Sequence, residues 1–484
     1  MSPSIDVFDA DKYQTLMDGL EITEVAFSNI DLGDRYDAEY FTKEYLNIEQ
    51  RLGKVATKKI GELSTAVASA FYPAATQLYS IGDTAFVRCV DCVDFPIITK
   101  KQDALFEKIP YSFGKENKGI SFLKNGEIVI TKVGTPCYAS IVDDYEEVAL
   151  SRTVLGLTDI HGIDEYYLMI YLRCKYGFEQ LYRQRELTIQ YQLTLPRVKA
   201  VDVFCPSDGF QKIIRKMCFR YREKSAESIE IYKEAEKKLS DSLNIGMLCV
   251  ENTIAVKTYS KSFLKSGRFD AEYYQPHYEE YVELLHTNET VGSLCTLHDK
   301  TFLPRDDIEY RYIELANVGA AGEISGVEIL FGNELPSRAR RKVRAGQILI
   351  SSVEGSLSSC ALITDALDGY LCSTGFYVLD SKYINPETLL VLFKSNAIQA
   401  LMKQRCSGTI LAGITKEELL SMPLPKVEDS LQKEIAERVQ ESFVLRRQSE
   451  QLLEYAKQAV EMAIEQGEST ALAWLGGKVP DLEV

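Results

Sequence analysis

The sequence predicts a mixed α/β fold in which two globular domains are separated by two long antiparallel helices of coiled-coil type. An internal repeat with a period of about 220–230 residues is far longer than a solenoid repeat, so it indicates duplication of a whole domain. Two stretches of about 37 residues without an internal proline read as long helices. The segments between them alternate short apolar runs with helical patterns, which is typical of mixed α/β domains.

Four pairs of strings carry the repeat. Each half opens on a near-identical heptapeptide, continues into an apolar strand-like run, and ends on a proline-containing exit before a long helix. The pairs are Arg35–Phe41 with Arg268–Tyr274, Gly126–Gly134 with Gly346–Gly355, Gln180–Arg185 with Gln399–Arg405, and Phe204–Pro206 with Pro423–Pro425.

The long helices are predicted over Asp208–Asn244 and Ser430–Gly467, where apolar or small residues recur at spacings of three and four. Their net charges of +2 and −2 permit mutual pairing. An antiparallel pair would act as a spacer between two similar domains related by a pseudo-twofold axis. Such a geometry suits a target with two separated half-sites, as duplex DNA presents to dimeric readers.

The shorter elements complete a predicted organisation of six segments. Strands are expected at Thr84–Val90, Glu127–Val133, Gln347–Val353 and Gly375–Leu379, and short helices around Asp164–Tyr176 and Pro386–Gln404. The segments are an acidic N-terminal segment (1–30), a first globular domain (31–207), a first spacer helix (208–245), a second globular domain (246–429), a second spacer helix (430–467) and a C-terminal tail (468–484).

Length and composition indicate a globular protein of about two to four domains. The chain has 484 residues, of which 45% are hydrophobic and 26% charged, so wholesale disorder is excluded. No stretch approaches the roughly 18 apolar residues of a spanning helix, and the acidic start lacks the apolar core of a secretory signal. We therefore expect a cytoplasmic protein that has no membrane partner.

The net charge of −16 is concentrated at the two ends of the chain. Residues 1–50 contribute −9 and residues 468–484 contribute −2, which leaves −5 for the body between them. A nearly neutral body can carry local basic surfaces, so the composition does not exclude a nucleic-acid partner.

Cysteine and histidine usage gives no sign of metal or redox chemistry. Eleven cysteines form an odd, scattered set that fits reduced thiols. The one CxxC, Cys89–Cys92, lies within Phe86–Val93, which reads as a strand rather than the strand-to-helix turn of a thioredoxin-type site. No second CxxC or closely spaced histidine pair completes a tetrahedral set, so no metal site is expected.

The chain resembles the specificity subunits of type I restriction-modification systems, over residues ~20–467. The order of the family-like strings, given twice, makes the resemblance specific. The strings are the Arg-[Tyr/Phe]-Asp-Ala-Glu-Tyr sequence of each half, Gly-Gln-Ile-Leu-Ile-Ser-Ser at 346–352, the strand around Ser373–Tyr377, the exit Leu420–Pro425 and the helix start Gln432–Ile435.

The resemblance implies a DNA-recognition subunit that is not itself an enzyme. Each globular part would be a target-recognition domain for one half of a bipartite, asymmetric DNA target, and the long helices would be the spacer. Two modification subunits would dock there and supply S-adenosylmethionine-dependent adenine N6-methylation, and ATP- and Mg²⁺-dependent restriction subunits would join them for cleavage. No cofactor is then expected in this chain.

Candidate DNA contacts lie at strand ends, in turns and in one basic run. The run Arg338–Arg344 holds five cations that could neutralise phosphates. The alternative is that it is a solvated surface strand with no ligand. Serine hydroxyls after the strand at 347–353 could reach phosphate or base edges, or merely stabilise turns. The candidates are Tyr72, Arg88, Lys132, Thr135 and Arg152 in the first domain, and Arg311, Asn317, Arg338, Arg340, Arg341, Lys342, Arg344, Ser351, Ser352 and Ser356 in the second.

Three of these candidates have a specific rationale. Arg88 is interpreted as the counterpart of Arg311, each just before or within a strand that follows a polar loop. Asn317 is of interest because an asparagine amide can pair bidentately with adenine. For each of these residues a purely structural role is an equal alternative.

The spacer helices carry apolar residues beyond those that their own pairing needs. These residues are Ile213, Phe219, Phe443, Leu445 and Leu453. A second apolar face is typical of a helix that receives partner helices, so we predict docking of the modification subunits there. The alternative is that these residues cover the bases of the globular domains.

Enzyme signatures are absent from the sequence. There is no G-x-x-x-x-G-K-[ST], no convincing G-x-G-x-x-G after a strand and no Gly-x-Ser-x-Gly elbow. Base flipping and adenine methylation would then belong to the partner subunit. Two other interpretations stay open: a coiled-coil scaffold or DNA mimic that binds no DNA, and an undetected nuclease or hydrolase.

Overall fold

The computed structural model describes residues 10–17, 19–26, 30, 35, 37–70, 76–186, 192–245, 254–408 and 412–482. The chain forms two compact units, unit 1 (residues 1–223 and 448–484) and unit 2 (residues 224–447). The boundaries fall inside the first long helix, Asp208–Leu243, and the second long helix, Asp429–Gln466. Both long helices are confirmed to within one residue at each end.

Unit 1 contains eleven described strands, most of them short. They are β1 Thr57–Lys59, β2 Thr65–Ala68, β3 Thr84–Val87, β4 Ile97–Ile98, β5 Lys108–Ile109, β6 Phe122–Lys124, β7 Ile128–Thr131, β8 Ala139–Val142, β9 Glu147–Leu150, β10 Val154–Thr158 and β11 Asp202–Phe204. They form a five-stranded sheet in the order β2-β10-β7-β8-β4, a four-stranded sheet in the order β5-β3-β9-β6, and the pair β1-β11.

The helices of unit 1 cover the five-stranded sheet. Helix Glu165–Arg173 is capped by Asp164, whose carboxylate accepts two backbone N–H groups, and its residues 166–172 are all buried. The other α-helices are Ala10–Met17, Lys43–Leu52, Ile60–Leu63, Cys89–Asp94, Tyr111–Glu116, Lys175–Arg183, Leu195–Lys199 and Glu468–Lys478, and 3-10 helices lie at Ala38–Phe41, Thr76–Ile81 and Lys100–Leu105.

Unit 2 contains ten described strands. They are β12 Cys295–Leu297, β13 Glu309–Ile313, β14 Glu328–Phe331, β15 Ala339–Lys342, β16 Ile348–Ser351, β17 Cys360–Leu362, β18 Leu371–Ser373, β19 Phe376–Ser381, β20 Cys406–Ser407 and β21 Gly413–Ile414. The sheet orders are β12-β19-β16-β17, β14-β13-β18-β15 and the pair β20-β21.

The helices of unit 2 repeat the pattern of unit 1. Helix Pro386–Lys394 is capped by Asn385 and is buried over residues 388–393. The other α-helices outside the two long ones are Phe263–Ser266, Pro276–Leu284, Val291–Leu294, Asn396–Arg405 and Lys416–Ser421, and 3-10 helices lie at Glu272–Tyr274, Leu315–Asn317, Glu354–Ser356 and Asp365–Leu367.

The two units share the topology of eight strands, to which unit 1 adds β4 at the edge of its larger sheet; this confirms the mixed α/β class and the internal repeat. The order β2-β10-β7-β8 corresponds to β12-β19-β16-β17, and β5-β3-β9-β6 corresponds to β14-β13-β18-β15. In each smaller sheet the central pair is parallel (β3 with β9, β13 with β18) and the outer pairs are antiparallel.

The heptapeptide that opens each half folds around one arginine–aspartate pair. The Arg35 guanidinium donates two hydrogen bonds of 2.7 Å to Asp37, and Arg268 donates two of 2.6 and 2.8 Å to Asp270. These bidentate contacts lower the pKa of both carboxyl groups. The repeated string is therefore a structural turn.

A buried glutamine anchors the start of each long helix. Gln211 accepts the backbone N–H of Asp164 at 2.8 Å and donates to the Pro206 carbonyl at 2.9 Å. Gln432 accepts the N–H of Asn385 at 2.7 Å and donates to the Val427 carbonyl at 2.9 Å. In each unit one of these bonds joins the long helix to the capping residue of the buried helix, and the other joins it to the segment that leads into the long helix.

In unit 2 the two long helices run antiparallel. Ser228 and Ser442 meet through their hydroxyls at 3.2 Å in a buried contact, and Lys238 pairs with Glu434 at 2.6 Å. Ile435 and Val439 are buried beside this line. In unit 1 the corresponding parts of the helices contribute to one core with residues such as Ile214 and Ala459.

Three sequence-based expectations are corrected. Cys89–Asp94 is a short helix that directly follows β3, so the CxxC does lie at a strand-to-helix turn. Each predicted short helix is a pair of helices, broken at Cys174 in unit 1 and at Ser395 in unit 2. The predicted C-terminal tail contains helix Glu468–Lys478, whose Ala471 and Leu475 are fully buried.

Candidate nucleic-acid interface

The ends of the central strands of each larger sheet form the candidate interface. Thr131 at the end of β7 lies opposite Val154, and Ser351 at the end of β16 lies opposite Phe376. The next residue along makes the same bond in both units: Lys132 N–H donates to the Thr153 carbonyl at 3.0 Å, and Ser352 N–H donates to the Gly375 carbonyl at 2.8 Å. We call these two places the strand-end sites.

Register makes individual positions of the strand-end sites equivalent. Lys132 of unit 1 corresponds to Ser352 of unit 2, because each directly follows a paired strand end. Val154 lies opposite Thr131, and Phe376 lies opposite Ser351. Arg152 and Thr374 each lie two residues before that opposing residue, so they correspond to each other. Sequence reasoning missed Thr374, although the repeated strand around 373–377 places it beside Ser352.

The strand-end site of unit 1 is strongly cationic. The pKa of the half-buried Lys132 ammonium is lowered, first by burial and then by the nearby Arg152 guanidinium. Arg152 is exposed, and so is Thr135 in the turn after β7. The carbonyl of Thr135 accepts the Cys89 thiol at 3.4 Å, which fixes that turn. Three predicted contact residues therefore come together here.

The serines of unit 2 make internal hydrogen bonds, and their assignment as DNA contacts stays a prediction. Ser351 is fully buried. Its hydroxyl lies 3.0 Å from that of Ser356 and accepts the Val353 N–H at 3.2 Å. Ser352 is half-buried and donates to the Gly375 carbonyl at 2.8 Å. These hydroxyls stabilise the turn, and Thr374 is the exposed one at this site.

The basic run 338–344 contains β15, Ala339–Lys342, which is an outer strand of its sheet. Arg338, Lys342 and Arg344 are exposed. Arg338 lies beside the strand-end site of unit 2, because its carbonyl accepts the Thr374 N–H at 2.9 Å. Exposed cations along an edge strand can contact phosphate groups without reading bases.

Two other members of the run are held against the protein. The Arg341 guanidinium donates to the Phe376 carbonyl and lies 5.7 Å from the Tyr377 ring centre. Arg340 is half-buried and donates to the Ser337 carbonyl at 3.1 Å. The run therefore offers fewer accessible cations than its sequence suggests.

Arg88 and Arg311 are not counterparts. The parallel strand pairs align Val87 with Ile313, so Arg88 corresponds to Glu314. The Arg88 side chain lies 3.5 Å from Asp91 and 3.4 Å from Glu107. It is engaged in ion pairs.

Arg311 and Asn317 differ in their exposure and in their hydrogen bonds within the protein. Arg311 is exposed and donates to the Tyr370 hydroxyl at 2.7 Å. The Asn317 amide accepts the Glu314 N–H at 2.6 Å and donates to the Gly326 carbonyl at 2.8 Å. Asn317 thus closes a turn, and its geometry gives no support to an adenine contact. Tyr72 lies outside the described residues.

The proposed partner-binding side chains lie largely within the cores of their own units. Ile213 and Leu453 are buried in the core of unit 1, where Phe219 packs edge-on against Tyr166 at 4.9 Å. Phe443 packs against the core of unit 2, and Leu445 is half-buried. The alternative that these residues cover the bases of the globular domains is the better description.

The cysteines and carboxylates of the described chain form no metal centre. Among the described residues, no three histidine, cysteine, aspartate or glutamate side chains are grouped to hold an ion. Burial raises the pKa of the Cys89 and Cys92 thiols, the opposite of the shift that activates a redox CxxC. None of the described helices is long and apolar enough to cross a membrane.

The fold thus defines a class: a duplicated mixed α/β protein with two long helices and a polar strand-end site in each unit. Solved structures similar to the chain include the S subunit of a type I restriction-modification system from M. genitalium, at 13% identity over 86% of this chain and 94% of that chain, with a TM-score of 0.35. Another is the HsdS subunit from Thermoanaerobacter tengcongensis, at 24% identity and a TM-score of 0.26; the match covers 36% of this chain and only 48% of that one.

A third similar chain comes from a study of complex assembly and conformational transition of the type I R-M system, at 13% identity over 85% of this chain and 98% of that chain, with a TM-score of 0.27. No protein-family model and no curated protein sequence matches the chain. The similar structures are of the class that the sequence motifs resemble. Since their TM-scores lie below 0.5, the functional proposal rests on the residues of this chain.

Proposed function

We propose that this chain is the DNA sequence-recognition subunit of a type I restriction-modification complex. One observation carries the proposal: two units with the same topology and register present different polar side chains at equivalent strand ends. A common scaffold with different side chains is what two different half-sites of a bipartite DNA target require.

The long helices space the two reading units. In unit 2 their antiparallel contact is buried and includes the Ser228–Ser442 pair, so the helices are packed against each other there. Both units include parts of both helices.

The chemistry of the complex would belong to partner subunits. Two modification subunits would bind S-adenosylmethionine and methylate adenine, and restriction subunits using ATP and Mg²⁺ would cleave. This chain would select the sequence and perform no catalysis. The partners would dock on accessible parts of the long helices; Val444, half exposed, is a better candidate than the buried residues that the sequence suggested.

Single-molecule sequencing of N6-methyladenine tests the proposal in cells that express the chain with its cognate modification subunits. The expected result is one bipartite motif. Replacing residues 31–207 by the corresponding domain of another such subunit should change one half of the motif. The matched control replaces residues 246–429 and should change the other half.

Three results would overturn the proposal. The first is methylation without a bipartite motif, and the second is a change of both half-sites on replacing one domain. The third is methylation or cleavage by the purified chain alone, because that would place catalysis in this chain.

A further inference from the structure

Arg311 is held by Tyr370 in the sheet β14-β13-β18-β15 of unit 2. Its guanidinium donates to the Tyr370 hydroxyl at 2.7 Å and lies 5.4 Å from the centre of the Tyr370 ring. Arg311 is exposed, and within the described ranges its side chain makes no other hydrogen bond and no ion pair. Because a guanidinium carries several N–H donors in a fixed fork, most of them are available to a ligand.

Tyr370 is itself anchored by the protein. Its carbonyl accepts the Val343 N–H at 3.0 Å, and its own N–H donates to the Leu367 carbonyl at 3.2 Å. The half-buried ring packs against the core cluster that contains Ile313. The Arg311 guanidinium therefore has a fixed support, which reduces the conformational entropy that this side chain loses when it binds a ligand.

Arg311 lies on a two-stranded ribbon at one edge of this sheet. Strands β13 and β14 pair antiparallel, with Arg311 opposite Ile329 and Glu309 opposite Phe331, and β14 is the outer strand. Since alternate residues of a strand share a face, these four side chains lie on one side of the ribbon, and all four are exposed. The major groove of DNA admits a two-stranded ribbon of this kind.

The equivalent positions of unit 1 carry different side chains. The register of the parallel strand pairs makes Ala85 the counterpart of Arg311 and Val148 the counterpart of Tyr370. Ala85 and Val148 are both buried in one core cluster of unit 1. The phosphate backbone is chemically the same in both half-sites, whereas the base edges differ. A supported guanidinium that only one of the two units presents at this position therefore favours a contact with a base.

Guanine is the base that suits such a guanidinium best. Its O6 and N7 atoms lie side by side in the major groove, and both accept hydrogen bonds. Adenine places a donor beside its N7 acceptor, cytosine presents a donor, and thymine presents a single acceptor. Because arginine offers donors only, guanine alone can accept two of them at once.

We propose that Arg311 reads a guanine in the half-site of unit 2, and that Tyr370 is the positioning residue that orients its guanidinium. This inference rests on the proposed function, and it names one base that unit 2 recognises and the residue that reads it. The half-site of unit 1 is read by other residues, because the counterparts Ala85 and Val148 are buried and apolar.

The test uses the full chain, expressed with its modification subunits, and the variant R311A. The readout is the N6-methyladenine motif from single-molecule sequencing, in which replacement of residues 246–429 identifies the half-site of unit 2. We expect one guanine position of that half-site to become degenerate, with discrimination there falling by roughly tenfold or more, as for the removal of one bidentate pairing. The half-site of unit 1 should be unchanged.

The variant Y370F tests the positioning role, because it keeps the ring and removes the hydroxyl that Arg311 contacts. It should weaken discrimination at the same guanine position and at no other. In the R311A background Y370F should have no further effect, since Tyr370 acts through Arg311.

Matched controls separate these effects from general changes of the surface. R305A removes another exposed arginine of unit 2, and Y383F removes the hydroxyl of another exposed tyrosine of that unit. Both should leave the motif unchanged. A thermal unfolding curve for each variant shows whether it is folded, and if Y370F is destabilised, the R311A result decides the inference.

The outcomes distinguish this inference from the proposed function. An unchanged motif for R311A, or a unit 2 half-site without a guanine, would overturn the inference and leave the proposed function intact. A uniform fall in methylation with an unchanged motif would identify a phosphate contact, and loss of the modification subunits on size-exclusion chromatography would identify a protein contact; either overturns the guanine assignment. If the wild-type chain gave no bipartite motif, both the inference and the proposed function would fail.

Discussion

Gln211 and Gln432 occupy the same position in the two units and make the same pair of backbone hydrogen bonds. Both side chains are buried. A buried backbone N–H or carbonyl that loses its partner retains the cost of its desolvation. These residues therefore decide how firmly each long helix is attached to its globular part.

The variant Q432A should destabilise unit 2 by about 1–3 kcal/mol, because it leaves the Asn385 N–H and the Val427 carbonyl without their partner. Urea unfolding followed by circular dichroism measures the change. The control Q440A removes an exposed glutamine of the same helix and should change stability by less than about 0.5 kcal/mol. Equal effects of the two substitutions would contradict the assignment.

The Arg–Asp pairs of the repeated heptapeptide predict a dependence on pH. Hydrogen bonding to Arg35 and Arg268 lowers the pKa of Asp37 and Asp270 below the ordinary value of 3.8. A lowered folded-state pKa stabilises the fold above 3.8, and this contribution disappears as the pH falls through the lowered value. It should be below about 1 kcal/mol for each pair, because both pairs are partly exposed.

The variant D37N/D270N should therefore lower the urea midpoint at pH 7. Its difference from the wild type should narrow when the same measurement is made below pH 3.8, where the wild-type carboxylates begin to protonate. A difference that stayed constant across this range would assign the effect to packing instead of charge.

Sequence reasoning identified regions better than single contacts. It placed Lys132 and Arg152 at a strand end and its turn, as the structure does. It also selected Ser351 and Asn317 as DNA contacts, but their side chains make hydrogen bonds within the protein. Residue type could not distinguish these cases, because burial and hydrogen-bond partners depend on register between distant strands.

Among the elements, the long helices were predictable, as were β7, β16 and β19, which lie where strands were expected, but two short helices were not. Long runs without proline and with spacings of three and four define a helix locally. Cys89–Asp94 (Cys-Val-Asp-Cys-Val-Asp) continues the apolar run of β3, so its sequence also fits a strand, and tertiary contacts decide between the two. Helix Glu468–Lys478 contains two glycines, Gly476 and Gly477, which lowered its helical signal.

The C-terminal helix is expected to stabilise unit 1. Leu475 is fully buried in the core of that unit, so L475A should cost about 2–5 kcal/mol of unfolding free energy. Urea unfolding measures the decrease. The control T470A alters an exposed residue of the same helix and should have little effect. A negligible effect of L475A would mean that residues 468–478 do form a tail.

The basic run 338–344 should contribute to the affinity for DNA without determining which DNA sequence is recognised. Neutralising Arg338, Lys342 and Arg344 with glutamine should reduce the slope of log Kd against log salt by about 0.9 for each phosphate group that is no longer neutralised. Fluorescence anisotropy with the complete complex and its target duplex measures the slope. The methylation motif should stay the same.

A matched triple variant separates this effect from a general decrease in positive charge. K300Q/K382Q/K433Q removes three exposed lysines of unit 2 that lie outside β15. Its salt slope should equal that of the wild type. If both triple variants changed the slope equally, β15 would have no particular part in DNA binding.

At the scale of the whole molecule, the charge distribution limits how tightly the isolated chain can bind DNA. Eleven of the sixteen net negative charges lie in residues 1–50 and 468–484, and the body between them carries −5. The accessible cations of the candidate interface are few: Lys132 and Arg152 in unit 1, and Arg311 with the exposed members of the basic run 338–344 in unit 2. Because phosphate contacts supply most of the affinity for DNA, the electrostatic attraction between such a chain and DNA is weak.

The isolated chain should therefore bind its target duplex weakly, with a Kd in the nonspecific range of roughly 10⁻⁴–10⁻⁶ M at physiological salt. The complex with modification subunits should reach the specific range of about 10⁻⁸–10⁻¹¹ M, because partner cations complete the phosphate contacts while this chain selects the sequence. Fluorescence anisotropy on a target and a scrambled duplex measures both. Tight, sequence-specific binding by the chain alone would show that its own few cations suffice for high affinity. The proposal that partner subunits supply most of the phosphate contacts would then be wrong.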